Sequence, residues 1–343
     1  SEYSLWKATK YFKRQDKRNV PVKDLNGNWC RSNKSQADLF SQHLEKTFES
    51  FPTTNSTGES NILEFLESAC QMDFPIKSFS PTEVQNEISK LNNTKTPGYD
   101  KIDPIVVKSL SKKCVLFLTI IYNSILRLSH FPTQWKCAEV VMIYKPNKPE
   151  NITSSYRPIS LLPTFSKIFE RLFSCRLLPI LEAQNIVPDH QFGFRHKHGT
   201  PEQCHRIVNV ITDALERKMY CSAVFLDVKQ AFDRVWHEGL LYKLKKLLPA
   251  PYYLFLKSYL KDRTFYVKVS DETSIIRSIK SGVPQGSVLG PVLYTLYTSD
   301  MPVTSNITIA TYADDTAILA SNKSSVEASS LVQTELNELQ QWL

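Results

Sequence analysis

Two groups of carboxylates at the ends of predicted strands constrain this chain more than any other feature. The apolar run Ala223–Leu226 predicts a short buried strand, Asp227 follows directly at its end, and residues 228–235 turn toward helix. Farther along, the β-prone arms 307–312 and 316–320 flank Ala313-Asp314-Asp315, the pattern of a hairpin with acids at its turn. A carboxylate at the end of a buried strand is unfavourable unless a partner or a metal ion balances it.

The acidic turn has two interpretations. Aspartate favours turns for conformational reasons, so Asp314 and Asp315 alone would predict only a tight turn. With Asp227 at a neighbouring strand end, however, Asp227 and Asp314 could reach a common pair of divalent cations. Carboxylate oxygens suit Mg²⁺, and two such ions can clamp the attacking and leaving oxygens of phosphoryl transfer.

The composition is that of an ordinary globular chain, with 42% hydrophobic and 22% charged residues among 343. It excludes wholesale disorder, collagen-like repeats and a coiled coil. The formal net charge of +8 favours polyanionic partners. Seven scattered cysteines without Cys-x-x-Cys spacing predict free thiols, and the most apolar run, 115–122, is too short to span a membrane.

Residues 1–79 are predicted to form a basic N-terminal segment with a helix and a linker. Residues 1–34 hold nine Lys and Arg against three acids, with aromatic residues interleaved. This stretch is either a solvated arm or a nucleic-acid contact in which cations meet phosphates and aromatics stack on bases. The spacing of apolar residues predicts a helix over 36–50, and 51–58 reads as a polar linker.

Two further helices are predicted from local signals. Ser80-Pro-Thr-Glu83 has the spacing of a capping box, so a helix should begin there and run through Leu91. A longer helix is expected over about 164–182, with an apolar face toward the core and Lys167, Glu170 and Arg171 on the opposite face.

Glycine is scarce, and its placement predicts site loops. Six of the nine glycines lie in three short segments, at Gly98, at Gly193 and Gly199, and at Gly282, Gly286 and Gly290. Because glycine serves where a backbone turns sharply or approaches a ligand closely, these segments are candidate parts of a site.

Seven ordered segments carry a family resemblance. Three of them hold the acids and a glycine loop, and four precede these; in chain order they are Lys95–Asp100, Lys145–Lys148, Tyr156–Leu162, Gln191–Arg195, Phe225–Asp233, Ser281–Pro291 and Tyr312–Asp315. In content and order they resemble the reverse transcriptases of non-LTR (LINE-type) retrotransposons, closest to the jockey-like group. The resemblance covers about residues 80–343.

The resemblance implies an α+β fold, the polymerase right hand of fingers and palm, with an antiparallel palm sheet backed by helices. It implies a reverse transcriptase domain over 80–343, with fingers at about 80–214 and a palm at about 215–343. The family's next palm motif and its thumb are expected beyond the end of the chain, so the activity of this piece alone is left open.

The implied activity is RNA-directed DNA polymerisation. A DNA primer or target offers a 3′-hydroxyl to the α-phosphate of a deoxynucleoside triphosphate on an RNA template, with two Mg²⁺ ions and Mn²⁺ as a possible substitute. By resemblance, Asp227 and Asp314 ligate the ions, the backbone carbonyl of Val228 helps, and Asp315 supports them.

Other roles are implied in the same way, residue by residue. Nucleotide contacts are expected at Lys145, with Lys148 as competitor, and at Arg157, Ala231, Phe232 and Gln285. Template or primer contacts are expected at Lys95, Gly98, Asp100, Gly286 and Arg195. The plainer alternatives are a surface arginine at Arg157 and a core phenylalanine at Phe232.

Two alternative functions stay open. In RNA-templated RNA synthesis, Asp233 would accept a hydrogen bond from a ribose 2′-hydroxyl, whereas Phe232 under the sugar would exclude that hydroxyl. A catalytically incomplete nucleic-acid-binding fragment is the other alternative, which the intact Asp227, Asp314 and Asp315 argue against.

Overall fold

The computed structural model describes residues 20–24, 26–51, 56–71, 74–195 and 197–342. Within these ranges the helices are α1 (Asn33–Thr47), α2 (Ser56–Glu67), α3 (Pro81–Ser89), α4 (Pro104–Lys108), α5 (Lys112–Leu128), α6 (Thr164–Ala183), α7 (Thr200–Glu216), α8 (His237–Leu247), α9 (Ala250–Leu260), α10 (Leu289–Tyr297) and α11 (Ser325–Trp342). The strands are β1 (Val22–Lys23), β2 (Trp29–Cys30), β3 (Cys137–Tyr144), β4 (Tyr156–Leu161), β5 (Tyr220–Leu226), β6 (Thr264–Val269), β7 (Glu272–Thr273), β8 (Arg277–Ser278), β9 (Ile307–Tyr312) and β10 (Asp315–Asn322). The α+β prediction is confirmed, while most of the basic stretch 1–34 lies outside the described residues.

A three-stranded antiparallel sheet carries the acidic segments. Its order is β5-β10-β9, with Leu226 opposite Thr316 and Tyr312 opposite Asp315. Because side chains alternate across a sheet, Ile318 packs against α11 while Leu319 packs against α7. The predicted hairpin is confirmed, and its turn consists of the two residues between β9 and β10.

The strand before Asp227 is not buried as predicted. β5 pairs only with β10, so it is the edge of its sheet, and Phe225 is 70% exposed. An apolar run forms a buried strand only where other elements cover both faces of the sheet, and no described element covers Phe225. After Val228 the chain forms consecutive turns rather than the predicted helix, and Gln230 has φ +58°.

The second sheet has the order β4-β3-β6-β7, and β8 also pairs with β6. β3 and β6 run parallel, and the other pairs are antiparallel. Helix α1, predicted at 36–50, begins and ends three residues earlier and packs Phe40 and Leu44, with Phe48 just after its end, onto this sheet. The N-terminal helix therefore belongs to the same core as β3 and β6.

An aromatic-rich core joins the remaining helices. Phe169 and Phe173 of α6 contact Phe255 of α9, with ring centroids 5.3 and 4.3 Å apart. The predicted capping box is confirmed, because Ser80 N donates to the Glu83 carboxylate at 2.8 Å and Glu83 N donates to Ser80 Oγ at 3.2 Å. All seven cysteines are free thiols, as predicted.

Glu170 corrects the assignment of faces on α6. Sequence periodicity places it opposite the core, yet its side chain is fully buried. Its carboxylate accepts hydrogen bonds from Ser166 Oγ at 2.8 Å and from the backbone N–H groups of Val288 and Leu289 at 2.8 and 3.1 Å. The carboxylate therefore caps the first turn of α10, where a negative charge is favourable.

Candidate active site

A cleft of about 790 Å³ is bordered by the two larger sheets, by α1 and by the loop before α10. Nine of the residues predicted for the site line it: Lys145, Arg157, Asp227, Val228, Ala231, Phe232, Gln285, Gly286 and Asp314. These residues come from five separated segments, so the fold has gathered most of the predicted site into one place.

The acidic side of the cleft is the end of β5 beside the β9–β10 turn. Leu226 lies opposite Thr316, which brings Asp227 next to the turn that holds Asp314. Burial raises the pKa of Asp314, and the like charges of Asp315 and Asp227 raise it further, against the opposing effect of Arg157. Carboxylates that repel one another in this way favour a bound cation.

The cationic side of the cleft lies at the ends of β3 and β4. Lys145 follows β3, and its Nζ donates to Ser154 O at 3.1 Å. Arg157 lies in β4 opposite Ile143 and is exposed toward the cleft. Among the described residues no carboxylate lies within ion-pair distance of Arg157, so its guanidinium fork is available to phosphate oxygens.

Phe232 stands at the wall of the cleft. Its ring stacks on Tyr294, with centroids 4.5 Å apart and planes at 21°, and meets the edge of Phe194 at 5.9 Å. The residue is half-buried, with one side on the large core and another facing the cleft. The two interpretations of Phe232, core residue and cleft residue, therefore describe two sides of the same ring.

Asp233 is 4% exposed, and its carboxylate accepts a hydrogen bond from Gln285 Nε2 at 2.7 Å. Burial raises the pKa of Asp233 to about 7, although the Gln285 hydrogen bond and the charges of Lys145 and Arg234 oppose the shift. One carboxylate oxygen already accepts from Gln285 and the side chain is almost wholly buried, so little of it is exposed to a ligand hydroxyl.

The loop before α10 approaches β4 closely at Gly286. Gly286 has φ +112°, and a Cβ there would lie 2.6 Å from Ser160 O. Ser160 N also donates to Gln285 O at 2.7 Å. Only glycine allows both this backbone conformation and this approach, so the loop is held against the β4 strand that carries Arg157.

The chain matches the family model described as "Reverse transcriptase (RNA-dependent DNA polymerase)" over residues 143–343. It belongs to the reverse transcriptase family.

Three curated relatives of the chain come from Drosophila melanogaster transposons. The chain is 47% identical to the probable RNA-directed DNA polymerase from transposon BS, over 99% of the chain and 38% of that protein. It is 45% identical to the corresponding proteins of the X-element and of mobile element jockey, each again over 38% of the relative. The predicted jockey-like resemblance is confirmed, and the chain spans under two fifths of each relative's length.

Five residues predicted for the site do not line the cleft: Lys95, Gly98, Asp100, Arg195 and Asp315. Gly98 packs under the backbone of Leu162 and Pro163, and Arg195 faces Asp189 at 3.4 Å. Asp315 begins β10 and is exposed. Their predicted roles in nucleic-acid contact or metal support therefore stay predictions.

Helix α1 adds cleft residues that sequence reasoning missed. His43 and Thr47 line the cleft beside Lys145 and Lys229. Burial lowers the pKa of His43, and the charges of Lys145, Arg234, Lys229 and Lys46 lower it further. Nothing local marks these residues, because α1 lies about a hundred residues before Lys145 in the chain.

The donor set of the acidic side suits hard divalent cations. Asp227, Asp314 and the backbone of Val228 offer oxygen atoms only. Among the described residues no group of three or more His, Cys, Asp and Glu side chains forms a closed metal cage. Two carboxylates and a carbonyl leave coordination positions for substrate oxygens, as a catalytic rather than structural ion requires.

Among the described helices, none is long and apolar enough to cross a membrane.

Proposed function

We propose that this chain holds the polymerisation centre of a non-LTR retrotransposon reverse transcriptase. It would join deoxynucleoside triphosphates to a DNA primer 3′-hydroxyl on an RNA template. The observation that carries the proposal is the single cleft with Asp227 and Asp314 on one side and Lys145 and Arg157 on the other. Such an arrangement suits a reaction in which a triphosphate must be held beside metal-binding carboxylates.

Asp227, Asp314 and the Val228 carbonyl would hold two Mg²⁺ ions, with Mn²⁺ as a possible substitute and Asp315 in support. When bound, the ions would lower the pKa of the primer hydroxyl and offset charge on the leaving oxygen. The carboxylates orient the reacting groups, and their mutual repulsion at Asp314 supports this assignment.

On the opposite side, Arg157 and Lys145 would bind the triphosphate, and Lys148 is near enough to share that role. Phe232, Ala231 and Gln285 would surround the sugar and the nascent base pair. The burial of Asp233 and its hydrogen bond from Gln285 support exclusion of ribonucleotides by the Phe232 ring over recognition of the 2′-hydroxyl by Asp233.

The fold is proposed to be the fingers and palm of a polymerase right hand, with fingers at about 80–214 and the palm at about 215–343. Helix α1, within the N-terminal segment 1–79, packs on the sheet formed by β3, β4 and β6. A thumb beyond Leu343 stays a prediction. Lys95, Gly98, Asp100 and Arg195, which lie outside the cleft, and Gly286, within it, would contact the template or primer.

Primer extension tests the proposal. The intact polypeptide that carries this chain is given a DNA primer on matched RNA and DNA templates, with deoxy- or ribonucleotides, and Asp227→Asn serves as the inactive control. We expect Mg²⁺-dependent extension on RNA with deoxynucleotides. Preferential use of ribonucleotides would favour RNA-templated RNA synthesis, and binding without any extension would favour the non-catalytic alternative.

A further inference from the structure

The turn that carries Asp314 needs support from outside the hairpin. Its first residue, Ala313, has φ +60°, whereas Asp314 returns to negative φ. Two-residue hairpin turns with this pattern usually place glycine at the first position, because an L side chain is disfavoured there. An alanine in this conformation persists only where neighbouring groups hold it.

Gln191 meets both backbone polar groups of Ala313. Its Oε1 accepts from Ala313 N at 3.0 Å and from Gly193 N at 2.7 Å, and its Nε2 donates to Ala313 O at 3.1 Å. The side chain is 4% exposed. Two N–H donors and one carbonyl fix the orientation of the carboxamide, so no isosteric apolar side chain and no carboxylate reproduces all three bonds.

The segment around Gln191 is shaped to approach the turn. Phe192 N donates to Thr311 O at 2.9 Å, which anchors the segment alongside β9. A Cβ at Gly193 would collide with Ala313 N and lie 2.8 Å from Gln191 Oε1. Glycine at this position therefore permits the contact between the Gln191 amide and the turn.

We propose that Gln191 is a positioning residue that clamps the Ala313-Asp314 turn and thereby fixes the Asp314 carboxylate for metal binding. The inference rests on the proposed metal site. Gln191 does not line the cleft and acts through the backbone of Ala313, so its removal should loosen the geometry of the site without removing any ligand.

Amide hydrogen exchange tests the clamp independently of polymerisation. In Gln191→Met, the Ala313 and Gly193 amides should exchange at least about tenfold faster, because both lose their acceptor. The ladder amides of β9 and β10 should keep their protection. Unchanged exchange at Ala313 would overturn the clamp, whether or not the polypeptide polymerises DNA.

Primer extension then tests the consequence for the metal site. Gln191→Met should raise the Mg²⁺ concentration for half-maximal extension about fivefold or more and lower kcat, while KM for the deoxynucleotide stays within about twofold. Adding Ala313→Gly, which relieves the left-handed conformation, should restore part of both losses. Loss of activity without a shift in Mg²⁺ dependence, or without rescue by glycine, would contradict the positioning role.

Gln203→Met is the matched control. Gln203, in α7, is equally buried and donates to His190 O, next to Gln191, and to Thr311 O of β9, at 2.8 and 2.9 Å, but not to the turn. It should lower thermal stability and leave the Mg²⁺ midpoint unchanged. An equal shift would show that Gln191 acts only through general stability.

If Gln191→Met does not fold, the same measurements are made on Gln191→Asn, whose side chain is one methylene too short. If the parent polypeptide extends no primer, the proposed function fails while the exchange result still decides the clamp.

Discussion

The two sides of the cleft hold their charges in different ways. The acidic side is part of a hydrogen-bonded sheet, and the turn bearing Asp314 is tied to Gln191 by backbone contacts on both polar groups of Ala313. On the cationic side, Arg157 has no carboxylate within ion-pair distance among the described residues, and the Lys145 ammonium donates to one carbonyl. Ions need ligands at fixed separations, whereas flexible phosphates accept cations over a range of positions.

The largest effect should come from the acidic side. Asp227→Asn or Asp314→Asn removes one charge from the proposed metal ligands with little change in shape, and extension should fall by about a thousandfold or more. Single-turnover extension at saturating nucleotide measures the loss. Asp315→Asn, outside the cleft, should be milder. Near-parental rates in either of the first two variants would remove the metal assignment.

The cationic side should respond less severely and in a different parameter. Arg157→Ala should lower kcat/KM for the deoxynucleotide by about 10- to 150-fold, which is the effect of losing one hydrogen bond to a charged group. The kcat/KM of Arg157→Lys should lie between those of the parent and of Arg157→Ala, because lysine keeps the charge and lacks the planar fork.

Arg217→Ala, at the exposed end of α7, provides the control for general loss of positive charge. Its KM for nucleotide should match the parent. An Arg157→Ala variant with unchanged nucleotide kinetics would return Arg157 to the role of an ordinary surface arginine, and the contrast between the two sides of the cleft would then lose its basis.

Phe232 lies between the two sides and should govern the sugar. Phe232→Val trims the ring that faces the cleft, so the preference for deoxynucleotides should fall by about 10-fold, the effect of ~1.4 kcal/mol, with little loss of deoxynucleotide incorporation. Competition between matched deoxy- and ribonucleotides measures the change. Phe173→Leu, a core substitution away from the cleft, controls for lower stability. If Phe232→Val discriminates between deoxy- and ribonucleotides as well as the parent does, Phe232 is a core residue alone.

Local sequence patterns predicted the acidic side of the cleft better than they predicted the burial of the residues around it. The hairpin and its acidic turn follow from alternation and turn chemistry within about 14 residues, and the Ser80 capping box from four. The exposure of Phe225 and the burial of Glu170 depend on which elements cover each face, and that information is not local. For the same reason the sequence did not predict His43 as a cleft residue, because the packing of α1 on the second sheet is what brings it there.

The buried Asp233 should have the smallest effect on polymerisation, and its substitution should be visible in stability instead. Its pKa is about 7 in the folded chain against an ordinary value of 3.8. The folded state therefore keeps a proton that the unfolded chain releases, so the associated stability is complete below about pH 4 and is lost as pH rises through 7. Asp233→Asn keeps an oxygen acceptor for Gln285 and removes the titration. The free energy of unfolding of this variant, relative to the parent, should rise by at most about 1.4 kcal/mol per pH unit between pH 4 and 7 and level off above. Urea denaturation from pH 5 to 8 measures this difference, with the exposed Asp271→Asn as control.

A difference that is flat across this range would mean that Asp233 is charged in the folded protein, and Lys145 would then share its charge between Asp233 and the cleft.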